Sequence, residues 1–180
     1  VQSNNDKYGV INETDHLHEI RPLAELVLND HKCAVITKSQ FVRCIPSVLH
    51  PDETMLKEAV SVGRFVELHH GSLRNNIFPA EAALTADIVI GHAIGATAGL
   101  EAALVGTRCI LLNPYNLKGP NIDLFKKADI LYEDIHAAID AVNGYRQGRP
   151  EFAKLGLWDD IIDQFDPYRD GQSAVRLREC

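Results

Sequence analysis

The 180-residue chain has no apolar run near the roughly 18 residues needed to span a bilayer. No segment is therefore expected to cross a membrane. A basic excess is also missing. Its 18 Lys and Arg against 25 Asp and Glu leave a formal charge of −7, which excludes a nonspecific grip on nucleic acid. Cysteine is sparse, and Cys33, Cys44, Cys109 and Cys180 form no CxxC pair. That spacing argues against a zinc knuckle or a thioredoxin-like motif. Cys33 and Cys109 lie in apolar strand-like runs and read as small buried hydrophobes. A reducing, cytoplasmic setting is expected. The polar start, Val1 to Asp6, resembles neither a secretory signal nor a transit peptide. With no initiator Met, the chain is expected to be part of something longer. Internal repeats and low-complexity linkers are lacking too.

What is present is alternation. Short apolar runs at 8–11, 33–37, 64–68, 87–90, 108–112 and 128–132 read as strands. Between them, 15–29, 52–62, 78–85, 97–105, 122–127 and 133–144 read as helices, with Asp52 as a cap and Pro79 in a first turn. Two more helices are expected at 158–165 and 172–179. Strands alternating with helices predict a parallel sheet covered on both faces. Continuous apolar strands at 88–90 and 109–112 agree, since two-sided burial removes polar alternation. The expected architecture is one α/β domain over 1–180, doubly wound and Rossmann-like. In such sheets ligands bind where loops leave the carboxyl ends of strands.

The loop that stands out lies in ADIVIGHAIGATAGLEAALVGTRCILL, residues 86–112. Ile88, Val89 and Ile90 give way to a patch of small residues from Gly91 to Gly99, and a helix carrying Glu101 follows. A strand that opens through glycines onto a helix leaves backbone N–H groups and a helix dipole directed at an anion. Gly95 and Gly99 would allow close backbone approach, and Thr97 has the chemistry of a cap. The glycine spacing matches neither GxGxxG nor a Walker loop. For Glu101 two readings stand side by side: a carboxylate balancing the dipole, or a ligand contact.

Ala86-Asp87, Ile88 to Ile90, Glu101-Ala102, Gly106-Thr107 and Ile110 to Leu112 together resemble the carboxyl-terminal, nucleotide-sugar-binding domain of B-type glycosyltransferases. The likeness runs over roughly residues 60–175. It implies that Glu101 accepts hydrogen bonds from ribose hydroxyls, and that Gly95, Ala96 and Thr97 hold the diphosphate of a nucleoside diphosphate sugar. The acceptor would be a glycan or lipid. No metal or further cofactor is implied. Arg108 stands where the family usually has proline. Ala93 stands where many retaining members carry a second glutamate, which disfavours that subclass. A complete enzyme of this type has an amino-terminal acceptor domain, so the 180 residues alone are expected to be inactive. Peripheral membrane association of the whole enzyme is compatible with the likeness. The segment 165–174 is similar to the end of some surface-polysaccharide biosynthesis proteins.

Further candidates sit after other strands. Lys38 could neutralise the diphosphate or be an ordinary turn lysine, and Arg43 is similar but less well placed. His69 and His70 follow the third strand, and His70 is a candidate donor contact. His92 follows Gly91 and could meet phosphate or sugar. Asn113 and Asn116 are candidate sugar contacts, although Asn-Pro is also a turn signal. His16 and His18, two apart, point to different helix faces and read as solvated surface. Tyr168 and Arg169 could carry the tail towards a partner domain, or merely belong to a capping turn near Asp170-Gly171. Two alternatives stay open. One is a nucleotide-sugar epimerase or polyol-phosphate transferase on the same half-fold. The other is a noncatalytic α/β docking or oligomerisation module whose glycines serve only packing.

Overall fold

A computed structural model of the chain describes residues 13–39, 45–68, 77–172 and 175–176. They fall into two compact units divided between Ala82 and Ala83. Each unit has its own small parallel sheet and its own helices, so an α/β architecture with parallel strands is observed. The strand expected at 8–11 lies outside the described residues.

The first unit contains α1 (Glu13–Asn29), β1 (Val35–Lys38), α2 (Pro46–Leu49), α3 (Thr54–Ser61) and β2 (Phe65–Leu68). Ile20, Ala24 and Val27 recur at helical spacing along α1 and are buried with Leu56 and Ala59 of α3 and Phe65 of β2. β1 and β2 run parallel, with Val35 opposite Phe65 and Lys38 opposite Leu68. α1 ends under a clamp. The Arg64 guanidinium donates to the carbonyls of Val27, Asp30 and Cys33 at 2.5, 2.8 and 3.0 Å. These bonds satisfy groups that a helix end and its turn would otherwise leave open. The sequence pattern assigns no element to residues 46–49. They form a turn of helix because Pro46 presets its start. The Glu67 carboxylate then takes bonds from the Ser47 N–H and hydroxyl at 2.7 and 2.5 Å. Asp52 is not the cap of α3. That position belongs to Glu53, without a side-chain cap bond, because the Glu53 carboxylate is turned to Arg21 of α1 at 2.7 Å.

The helix α4 (Pro79–Ala83) leads into β3 (Ile88–His92), α5 (Thr97–Leu104), β4 (Arg108–Leu112), α6 (Pro120–Lys127), β5 (Leu131–Tyr132) and α7 (Ile135–Arg146). The second sheet has the order β3-β4-β5, all parallel. Central β4 is the most deeply buried strand, with Cys109, Ile110 and Leu111 fully inaccessible. Its alternation divides the two faces. Cys109 and Leu111 pack with Ala102 of α5, Phe125 of α6 and Trp158. On the opposite face, Arg108 lays its guanidinium 4.6 Å from the Tyr145 ring of α7. Burial on both faces explains the unbroken apolar run in the sequence. At the amino end of α7, the Asp134 carboxylate accepts the Ala137 N–H at 2.9 Å.

The segment after α7 departs from the helix expected at 158–165. Within 158–165 a short 3-10 turn forms over Ile162–Gln164, and an earlier one stands at Pro150–Phe152. Hydrogen bonds there alternate between three- and four-residue spacing, as in Ile161 and Ile162 to Trp158 and Gln164 to Ile161. No continuous ladder forms because the segment is pinned to β4. The Cys109 N–H donates to the Gly156 carbonyl at 2.9 Å, and the Trp158 indole N–H donates to the Cys109 carbonyl at 2.8 Å. Gly156 has φ +67°, and a Cβ there would stand 2.9 Å from the Cys109 nitrogen. Only glycine meets both demands. Of the helix expected at 172–179, residues 175 and 176 are helical. Asp170 anchors them, since its carboxylate takes both Arg176 nitrogens at 2.8 and 2.9 Å.

Candidate functional site

The stretch of greatest interest becomes a strand, a four-residue turn and a helix. β3 ends with His92 opposite Leu112 of β4, and the Ala93 N–H continues the ladder to the Leu112 carbonyl at 2.8 Å. Gly95 then adopts φ +65° with open space around its missing side chain. This left-handed residue turns the chain into α5 at a conformation that costs other L residues about 1 kcal/mol or more. The cap position is Ala96, which has no side chain to offer. Thr97 is the first helical residue rather than the cap expected from its chemistry. No side chain of the cap residue engages the first-turn N–H groups of α5, where Thr97 and Ala98 are exposed and Gly99 is buried.

The other two glycines of the patch do something different. A Cβ on Gly99 would lie 2.8 Å from Leu111 Cδ2 and 3.1 Å from Cys109 Sγ. One on Gly91 would lie 3.3 Å from the same Leu111 Cδ2. Both glycines let α5 and β3 close over Leu111. One glycine of three makes the turn, and two make the packing.

Glu101 is the fifth residue of α5. It lies beyond the first turn, where a helix dipole stabilises carboxylates most. It is half-buried. Among the described residues, no hydrogen bond or ion pair engages its carboxylate. His92 is half-buried at the end of β3, with Nδ1 beneath the surface. Gly95, Ala96, Thr97, Glu101 and His92 thus belong to one strand–turn–helix segment.

Asn113 leaves β4, the neighbouring strand, at the same edge. It is buried, and its amide is directed at one residue: Oδ1 accepts the Leu117 N–H at 2.9 Å and Nδ2 donates to the Leu117 carbonyl at 3.2 Å. That clamp shapes the 113–117 loop, in which Asn116 adopts φ +49°. Lys38 belongs to the first unit, where its ammonium donates to the Ser39 carbonyl at 3.2 Å. His69, His70 and Arg43 lie outside the described residues. Arg108 fastens the carboxyl-terminal segment through the Leu155 carbonyl at 2.6 Å. Arg169 pairs with Asp163 at 2.6 Å, and the Arg176 guanidinium covers the Tyr168 ring at 3.9 Å. Both tail residues are used locally.

His16 departs from the sequence reading. It is half-buried, and its Nδ1 stands 3.0 Å from Nε2 of buried His50. The contact is long-range, since the two residues are 34 apart in sequence, and no local pattern signals it. Two cavities of about 440 and 240 Å³ lie away from the β3–α5 turn. The larger is bordered by Lys127, Asp129, Tyr132, Phe152 and Lys154, the smaller by Leu104, Ile162 and Asp166. Burial, and to a lesser degree the Asp129 charge, raises the Tyr132 phenol above its ordinary value. Burial pushes the Cys109 thiol up to about 12. Among the described residues no cluster of three His, Cys, Asp or Glu could hold a metal ion. No helix among them is long and apolar enough to cross a membrane.

Fold and site together define a protein of parallel α/β units in which, among the described residues, one helix start has no side-chain cap and the Glu101 carboxylate has no partner beside the same sheet edge. No protein-family model, curated protein or solved structure matches the chain.

Proposed function

We propose that the chain is the donor-nucleotide part of a B-type glycosyltransferase, with the doubly wound, Rossmann-like arrangement of that class. Glu101 carries the reading. A half-buried carboxylate without a partner among the described residues, set past the region where a dipole would reward it, calls for an external donor. Two adjacent ribose hydroxyls are suited to it, because a carboxylate is an acceptor-only group with room for both. The open amides of α5 from Thr97 onward suit the diphosphate. Charge leaving with the nucleoside diphosphate would be stabilised by those fixed dipoles. Gly95 sets the turn that presents them. His92 borders the phosphate side, and Asn113 holds the neighbouring loop in shape. The acceptor domain and the catalytic base would lie in a partner segment, in a cytoplasmic enzyme of polysaccharide or lipid glycosylation.

An NMR titration with UDP, GDP and CDP tests this. One nucleotide is expected to shift the amides of 93–101. Glu101→Gln is expected to weaken that binding about tenfold or more, the scale of lost charge-assisted hydrogen bonds, with the fold retained. Absence of any shift in that turn would remove the proposal. A second reading has its own observation. Gly91 and Gly99 both serve packing on Leu111, as in a noncatalytic docking module. Concentration-dependent self-association without nucleotide binding would favour it.

A further inference from the structure

We propose that the larger cavity is a binding site for a neutral saccharide. Its volume of about 440 Å³ falls within the range of small-molecule sites, and it lies wholly in the second unit. One wall is the 150–157 segment, which is fastened to the amino end of β4. The Arg108 guanidinium donates to the Leu155 carbonyl at 2.6 Å, and the Cys109 N–H to the Gly156 carbonyl at 2.9 Å. Within that wall the Ala153 N–H donates to the Pro150 carbonyl at 3.2 Å and the Leu155 N–H to the Phe152 carbonyl at 2.9 Å. The facing wall is the end of α6 and β5. There the Ala128 N–H donates to the Leu124 carbonyl at 3.0 Å and the Asp129 N–H to the Lys126 carbonyl at 3.1 Å. Main chain that is already tied in place therefore forms the cavity. The β3–α5 turn, at the carboxyl end of β3, has no part in it.

The polar groups around this cavity are open. Among the described residues the side chains of Lys127, Lys154, Asp129 and Asp160 make no hydrogen bond or ion pair, and neither does the Tyr132 hydroxyl. Glu151, also at the rim, is turned to Arg149 at 3.6 Å. Tyr132 is half-buried. Burial, and after it the Asp129 charge, raises its phenol, so the hydroxyl keeps its proton and can both donate and accept at neutral pH. Asp129 stands at φ +57°, just past the cap of α6, where glycine commonly ends a helix. An aspartate there is harder to accommodate than glycine, and it brings a carboxylate within reach of the phenol.

The rim selects the ligand. Its two open ammoniums and two open carboxylates balance. A simple anion meets Asp129 and Asp160 as well as the lysines, and a simple cation is opposed in the same way. A hydroxyl donates and accepts at one atom. It can accept a bond from a lysine, donate one to a carboxylate, or bridge the Tyr132 phenol to Asp129. A ring bearing several hydroxyls meets all of these groups, and its C–H face suits the apolar surface of Ala128, Leu155 and Leu157. Binding is weak, because the charged rim groups are exposed and well solvated. The inference stands apart from the donor-nucleotide reading, which uses another part of the fold.

The test is an NMR titration of the ¹⁵N-labelled full chain with glucose, galactose, mannose and N-acetylglucosamine, without nucleotide. At least one sugar is expected to shift the amides of 127–132 and 151–157 along a saturable curve, while those of 93–101 stay in place. Tyr132→Phe removes only the hydroxyl and is expected to weaken that binding about two- to tenfold, the scale of one hydrogen bond. Asp129→Asn keeps a residue that tolerates the left-handed conformation and is expected to give a similar loss. Added salt should leave the affinity for a neutral ligand within about twofold. Inorganic phosphate and putrescine serve as the charged probes. No saturable shift of those amides with any of the four sugars would overturn the site. So would tighter binding of phosphate or putrescine at the same amides, or sugar binding that neither substitution weakens. Should Tyr132→Phe not fold, Asp129→Asn decides. The nucleotide titration reads different amides, so either proposal can fail without the other.

Discussion

Replacing Gly99 with alanine sets two opposing effects against each other. In an open helix the change would stabilise by about 1 kcal/mol, through lower backbone entropy in the unfolded chain. Here the new methyl would lie 2.8 Å from Leu111 Cδ2 and 3.1 Å from Cys109 Sγ. Neither neighbour can withdraw freely, since both are fully buried beneath α5 and Trp158. Overpacking of such a site costs about 1–3 kcal/mol, so it outweighs the helix gain in most of that range. For a chain of this size the net loss, up to about 2 kcal/mol, lowers Tm by up to about 8 °C. Thermal and urea unfolding followed by circular dichroism measure it. The Leu111→Ala background supplies the control. That substitution alone costs about 2–5 kcal/mol, but it removes the atom that the methyl meets. There Gly99→Ala is expected to become neutral or stabilising, giving a coupling of about 1–2 kcal/mol between the sites. A Gly99→Ala protein as stable as wild type, with no coupling to Leu111, would refute the close approach of α5 to β4.

Gly95→Ala places a side chain at φ +65° in open space, so it costs about 1 kcal/mol of backbone strain. Gly95→Asn recovers most of it, and urea denaturation distinguishes the two. Trp158→Phe deletes the buried bond to the Cys109 carbonyl and is expected to cost about 1–3 kcal/mol, read from the urea midpoint. Cys109, with its thiol pushed up to about 12, stays neutral in the fold while the unfolded chain loses its proton near about 8.5. Rising pH therefore favours unfolding, and stability falls above about pH 9 by up to about 1.4 kcal/mol per unit. Cys109→Ala is expected to flatten that decline, and disulfide-exchange labelling at pH 8 should reach Cys109 only on unfolding.

Much of the fold was legible locally. The five described strands and the helices α1, α3, α4, α5, α6 and α7 fall where apolar period, Pro79 and small-residue breaks place them, with β5 shortened to Leu131–Tyr132. Helix boundaries were less so, because caps are decided by competing partners. Glu53 occupies the cap of α3 while serving Arg21, and Ala96 rather than Thr97 stands at the cap of α5. The turn at 46–49 stayed hidden because Glu67, twenty residues away, supplies its first-turn acceptor.

By itself the sequence determined the alternating α/β pattern, the buried character of β4 and the placement of a glycine turn before a helix bearing Glu101. Those follow from period and backbone freedom, which are local properties. Tertiary structure alone separated the three glycines, one for a left-handed turn and two for contact with Leu111. It also turned the Asn113 amide onto Leu117 and joined His16 to His50. Each depends on which distant atoms fill the space beside a residue, and spacing along a chain carries no record of that.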